Sequence, residues 1–128
     1  MHEYSVVSEL INGLLPQLDA HEGEVVAVFL NKGELRILSD RALQNAFEVV
    51  AQGTRLASAR LEIVEIAARV KCRSCGYEGP AEQVRDESFH YAVPILSCPK
   101  CQQDVDIVAG RELYVDRISL RDPVNETP

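Results

Sequence analysis

Two Cys-x-x-Cys pairs, Cys72/Cys75 and Cys98/Cys101, lie in the second half of a chain of 128 residues. Two residues between cysteines let both sulfurs turn inward on one knuckle. Two knuckles then supply four thiolates at the corners of a tetrahedron, the donor set of a structural zinc site. Gly76 after the second cysteine and Pro99 after the third suit the tight turns that aim backbone amides at the sulfurs. Such a cage leaves no open coordination position, so its role is structural.

Other uses of the cysteines are less well supported. Cys72 to Tyr77 and the Cys-Pro-x-Cys of the second pair are similar to the knuckles of rubredoxins, so iron and an electron-carrier role stay open. Rubredoxin cores are dense in aromatic residues, however, and this segment has only Tyr77, Phe89 and Tyr91. A thioredoxin-like redox pair would sit between a strand and a helix, and neither pair does.

Composition narrows the function. Apolar residues make up 46% of the chain and aromatic residues 5%, with no Trp, so the core is aliphatic. The net charge is −7, and four thiolates around a divalent ion would add two further negative units. That balance disfavours nucleic acid as the main partner. Lys71, Arg73 and Lys100 form a small basic knuckle, which keeps a zinc-ribbon module for protein interaction or nucleic-acid binding as the alternative reading. The start of the chain lacks the cationic region of a secretory signal. The apolar run 25–30 is far too short to span a bilayer. The expectation is a soluble, cytoplasmic protein without a membrane association, and one in which paired cysteines hold metal in preference to disulfides. No phosphate loop, Ser-His-Asp pattern or paired-carboxylate motif is present, so the chain is not read as an enzyme.

Periodicity predicts an α+β fold, a small sheet of about three strands packed with two helices and carrying an inserted zinc-ribbon-like module. Val6, Val7, Leu10, Ile11, Leu14, Leu15 and Leu18 give residues 4–20 one wide apolar helical face, with Pro16 expected to kink or shorten it. Residues 25–30 read as a buried strand ended by an Asn31-Lys32-Gly33 turn. Ser39 or Asp40 caps a second helix bearing Leu43, Ala46, Phe47 and Val50, with Gly53 as its stop. Residues 61–70 read as one strand whose alternation changes phase at Ile63-Val64, the mark of a bulge. A last strand covers 113–120. The expected domains are 1–70 with 109–121, an inserted 71–108, and a flexible tail 122–128.

The N-terminus offers a second, different donor set. The Met1 amine, the His2 amide nitrogen and the His2 imidazole can chelate one ion in fused rings, and a deprotonated amide favours planar nickel and copper. The fourth position can be filled by the amide or carboxylate of Glu3, or by His90 if the zinc module folds back. Taken alone, a histidine at position 2 is more often solvated than a ligand.

The wider sequence sharpens that choice. Met1-His2-Glu3-Tyr4-Ser5, Gly33-Glu34-Leu35 followed by Ser39, and Ala46-Phe47-Glu48-Val49-Val50 with Gly53-Thr54 come first. Ala59-Arg60-Leu61-Glu62-Ile63, Cys72-Arg73 with Cys75-Gly76, and Gly110-Arg111-Glu112-Leu113 follow in order. Together they resemble the HypA/HybF family of nickel-insertion accessory proteins for NiFe-hydrogenase maturation. The resemblance implies a nickel metallochaperone with nickel at His2 and nearby backbone nitrogens, and structural zinc at Cys72, Cys75, Cys98 and Cys101. It implies delivery toward the hydrogenase large subunit together with the GTPase HypB, service to urease maturation in some members, and it leaves a homodimer open. One departure is the spacing: 22 residues separate Cys75 from Cys98, more than is common in the family, and the extra segment 80–95 contains His90.

Overall fold

The computed structural model describes residues 2–86 and 91–121, and of His2, 83–86 and 91–94 it describes the backbone. The chain forms two compact units. The first comprises Met1–Asn31, Leu38–Val64 and Tyr114–Pro128; the second comprises Lys32–Ile37 and Glu65–Leu113. The second unit is thus larger than the expected insertion 71–108, since it takes in the turn after the first strand and the segments flanking the cysteines. The expected tail 122–128 lies outside the described residues.

In the first unit, helix α1 (His2–Leu18) and helix α2 (Asp40–Val50) accompany a three-stranded sheet. Its order is β2 (Arg60–Ile66), β1 (Glu24–Gly33), β8 (Leu113–Arg121). The central strand is the most apolar, and Val25, Ala27, Val28 and Leu30 are all buried. Helix α1 buries Val7, Ile11, Leu14 and Leu18, which recur every three or four residues and so share one face. Helix α2 buries Leu43, Ala46 and Phe47 for the same reason. Val7, Ile11 and Leu14 meet Val28, Leu30, Phe47, Leu61 and Val115 around one apolar hollow, where the core of the unit lies. Each such side chain removed from water stabilises the unit by about 1.5–3 kcal/mol.

Two expectations change here, and the one for Pro16 does not: α1 stops at Leu18, two residues past the proline and short of residue 20. The lost backbone donor lies near the helix end, and continuing the helix places Leu18 in the core. Gln17 Nε2 donates to the Gly13 carbonyl at 3.1 Å, which satisfies one acceptor in the disturbed turn. Beyond the helix, the Arg55 guanidinium donates to the carbonyls of Leu18, His21 and Gly23 and holds the exit loop. Asn31, Lys32 and Gly33 belong to β1 instead of a turn. The reversal comes afterwards, closed by Arg36 N–H on the Gly33 carbonyl at 2.9 Å. Last, the expected single strand 61–70 is two strands. β2 ends at Ile66, and β3 (Arg69–Cys72) joins a different sheet. The break is at Ala68, whose amide donates to Glu34 Oε1 at 2.7 Å and whose carbonyl accepts from Ala81. A register irregularity falls at Arg69/Val70, where β3 pairs with β7. The expected insertion between two strands of one sheet stands, because β2 and β8 flank β1 on either side.

The second unit holds an antiparallel sheet of order β4 (Glu78–Pro80), β3, β7 (Val105–Ala109) and a hairpin of β5 (Glu82–Asp86) with β6 (Tyr91–Ile95). Its apolar cluster is small: Ala68, Val70 and Ala81, with Leu35, Tyr77 and Val105 against them. Here two backbones pass so closely that side chains are excluded. A Cβ at Gly33 would collide with the Gly110 carbonyl, and one at Gly110 would lie 2.9 Å from Ala68 Cα. Gly110 also has φ +121, a conformation other residues rarely adopt. No helix among the described residues is long and apolar enough to cross a membrane. Gly110→Ala is expected to destabilise the protein by ~2 kcal/mol or more, through backbone strain and overpacking together. Urea unfolding measures this, and an unchanged midpoint would contradict the close approach.

Candidate metal centres

The two knuckles of the second unit are built alike from residues five apart. Cys72 N–H donates to the Tyr77 carbonyl at 2.7 Å, and Cys98 N–H donates to the Gln103 carbonyl at 2.9 Å. Gly76 N–H returns to the Cys72 carbonyl at 3.1 Å, and Gln102 N–H returns to the Cys98 carbonyl at 2.9 Å. The residue four beyond the first cysteine takes positive φ in both, Gly76 at 81° and Gln102 at 66°. The glycine was legible as a turn residue. Its equivalent Gln102 carried no such signal, because the knuckle imposes the conformation there.

Within each loop the turn aims amides at sulfur. Cys75 N–H points at Cys72 Sγ at 3.5 Å, and the amides of Lys100 and Cys101 point at Cys98 Sγ at 3.4 Å. All four sulfurs lie within 4.8 Å of one another, with Cys72–Cys101 and Cys75–Cys98 at 3.5 Å. A tetrahedral zinc with bonds of about 2.3 Å has sulfurs about 3.8 Å apart, so the donor set fits that ion. Cys72 and Cys98 are buried, whereas Cys75 is exposed. The knuckles are braced from outside: Arg73 makes a two-pronged pair with Asp106, both contacts at 2.7 Å, and Tyr77 Oη donates to the Pro80 carbonyl.

The acidity of the thiols follows from this crowding. Burial raises Cys98, but the amides of Cys101 and Lys100 and the neighbouring thiols outweigh it and bring it down to about 6. The Cys75 amide lowers Cys72 as well. At Cys101 the Gln103 amide pulls downward, yet burial and the other three thiols push the group up to about 12. Four sulfurs this close cannot all ionise unaided, because each new charge meets those already present. A divalent cation removes that conflict. The cluster therefore has the chemistry of a closed metal cage, the structural zinc site expected for these four cysteines. Cys98→Ser is expected to lose stoichiometric zinc and the protection of amides in 69–109 against exchange. Metal analysis with hydrogen exchange checks both, and zinc retained at one per chain would contradict the cage.

At the other end, His2 opens α1. The first amides of any helix have no partner within it, so the His2 amide is not consumed by helical hydrogen bonding. Met1 and His90, two of the expected nickel donors, lie outside the described residues, as does the His2 side chain. Glu3 is placed. Its Oε2 accepts the Ser39 amide at 2.9 Å. That bond, and a second from its own amide, hold the Glu3 carboxyl below the usual carboxylate range. Ser39 was expected only as a helix cap. Its amide partner comes from 36 residues earlier, and no local pattern announces a contact of that range.

Known proteins resemble the chain over nearly its whole length. Residues 1–120 match the family described as hydrogenase/urease nickel incorporation, metallochaperone, HypA. A hydrogenase maturation factor HypA of Desulfatibacillum aliphaticivorans is 35% identical over 127 residues, covering 96% of this chain and 89% of the relative. One from Methanothermobacter thermautotrophicus is 30% identical over 122 residues, covering 94% and 97%. The solution structure of the Ni metallochaperone HypA from Helicobacter pylori superposes with a TM-score of 0.60 at 22% identity, covering 92% of this chain and 96% of that one. A further HypA solution structure gives 0.65 at 24% identity, covering 94% and 97%; both likenesses are of fold.

Proposed function

The chain belongs to the HypA family of hydrogenase and urease nickel-incorporation metallochaperones, and from that premise we propose that it binds Ni(II) at its N-terminus and delivers it during NiFe-hydrogenase maturation. One observation carries the division of labour. The four-sulfur cage already fills a tetrahedron, so a transient cargo needs a separate site with an open face. The start of α1 supplies one, with the Met1 amine, the His2 amide and the His2 imidazole as donors and His90 or the Glu3 backbone as the candidates for the fourth position. Zinc at Cys72, Cys75, Cys98 and Cys101 then folds the inserted domain and stays. Nickel is held at a shallow terminal chelate and leaves one donor at a time to a receiving protein.

Affinity alone cannot select nickel, because copper outranks it for such a donor set. Selection therefore rests with supply and with docking partners. By family resemblance these are the GTPase HypB and the hydrogenase large subunit, with the urease maturation machinery as a further client. The chain carries no phosphate loop, so nucleotide hydrolysis falls to the partner, and the role proposed here is not catalytic. The rival reading, a nucleic-acid-binding ribbon, is weakened by Asp106, which neutralises Arg73 in the basic knuckle.

The test is calorimetric titration of nickel into untagged protein, beside His2→Ala, with zinc measured in both. One nickel in the parent, none in the variant and one zinc in each is expected; equal nickel in both would sink the N-terminal site. Binding is further expected to weaken as pH falls through about 6.5, where free imidazole takes up a proton, with the amine and amide steepening the loss. A flat response between pH 8 and 5.5 would remove the histidine from the site.

A further inference from the structure

Helix α2 has an incomplete cap of its own. The Ser39 hydroxyl accepts the Ala42 amide at 3.2 Å, the first half of a capping box. The second half needs a Glu or Gln at position 42, reaching back to the Ser39 amide, and a methyl group stands there instead. Glu3 Oε2 takes that amide at 2.9 Å from the neighbouring helix. The geometry points to Glu3 as the capping carboxylate of α2, a positioning residue that ties the first turn of α1, with His2, to the start of α2 and does not donate its side chain to nickel. This rests on the nickel site proposed above. A metal ion drawing on that oxygen would strip the Ser39 amide of its partner, so the cap and ligation through Oε2 compete. Nickel geometry at His2 and the position of Ser39 are then linked through a single side chain.

Four variants of the zinc-loaded full chain test this. Glu3→Ala removes the carboxylate, and Glu3→Gln keeps an acceptor oxygen. Ser39→Ala removes only the hydroxyl. Ser39→Pro also removes the amide, at a residue whose φ of −77 suits proline. Without nickel, Glu3→Ala is expected to lower the unfolding midpoint by about 2–5 °C. It should lower it no further in the Ser39→Pro background, since both remove the same bond. With nickel, Glu3→Ala and Ser39→Pro should weaken binding alike, about five- to tenfold. Glu3→Gln should recover part of the loss, and Ser39→Ala should stay near the parent. X-ray absorption should show the same nickel donors throughout. Additive midpoint shifts would overturn the cap. Parental affinity in Ser39→Pro would overturn the positioning role, and loss of an oxygen donor in Glu3→Gln would overturn it by making Glu3 a ligand. Absence of His2-dependent nickel binding in the parent would remove the nickel site and the positioning role with it, while the midpoint cycle would still decide the cap.

Discussion

Four sulfurs confined within 4.8 Å of one another are the constraint on which the second unit depends. Among the described residues its buried apolar cluster holds two alanines and one valine, with Leu35, Tyr77 and Val105 against them, a small core on which to order the unit by hydrophobic burial. A cation bridging Cys72, Cys75, Cys98 and Cys101 supplies what the core lacks, since ligand binding that exists only in the folded state becomes folding free energy. The chain between β2 and β8 runs through this unit. Cross-linking residues 72 and 101 shortens the effective loop, and with it the entropy lost when β8 pairs with β1.

The two metal chemistries proposed for this chain differ in the kind of donor. Thiolates from two equivalent knuckles close a tetrahedron and hold it with amides aimed at the sulfurs. That arrangement suits permanence. Backbone nitrogens and an imidazole at the start of a helix suit exchange, because they are approached from one side and released in sequence. A delivery protein built this way does not face the choice between tight folding metal and labile cargo at a single site.

The start of α1 is less casual than a terminus ordinarily is. Glu3 is occupied by the Ser39 amide, so the residue next to His2 is anchored to a second helix. A chelate made largely of main-chain atoms gains from such an anchor, since the ordering cost of a frayed end would otherwise be charged against binding.

The cysteine spacing by itself pointed to a four-sulfur metal cage, because two Cys-x-x-Cys pairs supply four thiolates, and the apolar stripe on α1 determined which face it buries. The order of the quoted motifs was enough to identify the family. The sequence misled where a local signal met a long-range demand. Asn31-Lys32-Gly33 reads as a turn, but Gly33 N–H pairs with the Glu112 carbonyl and keeps the strand going. The run 61–70 reads as one strand, but Glu34 takes the Ala68 amide and redirects the chain. Only the tertiary structure decided that Gln102 adopts positive φ, that Gly33 and Gly110 must lack side chains, and that Glu3 completes the cap of α2. The knuckle's own hydrogen bonds between 98 and 103 impose the first; the other two depend on groups far along the chain, and a pattern of neighbours in sequence carries no record of what the fold brings alongside.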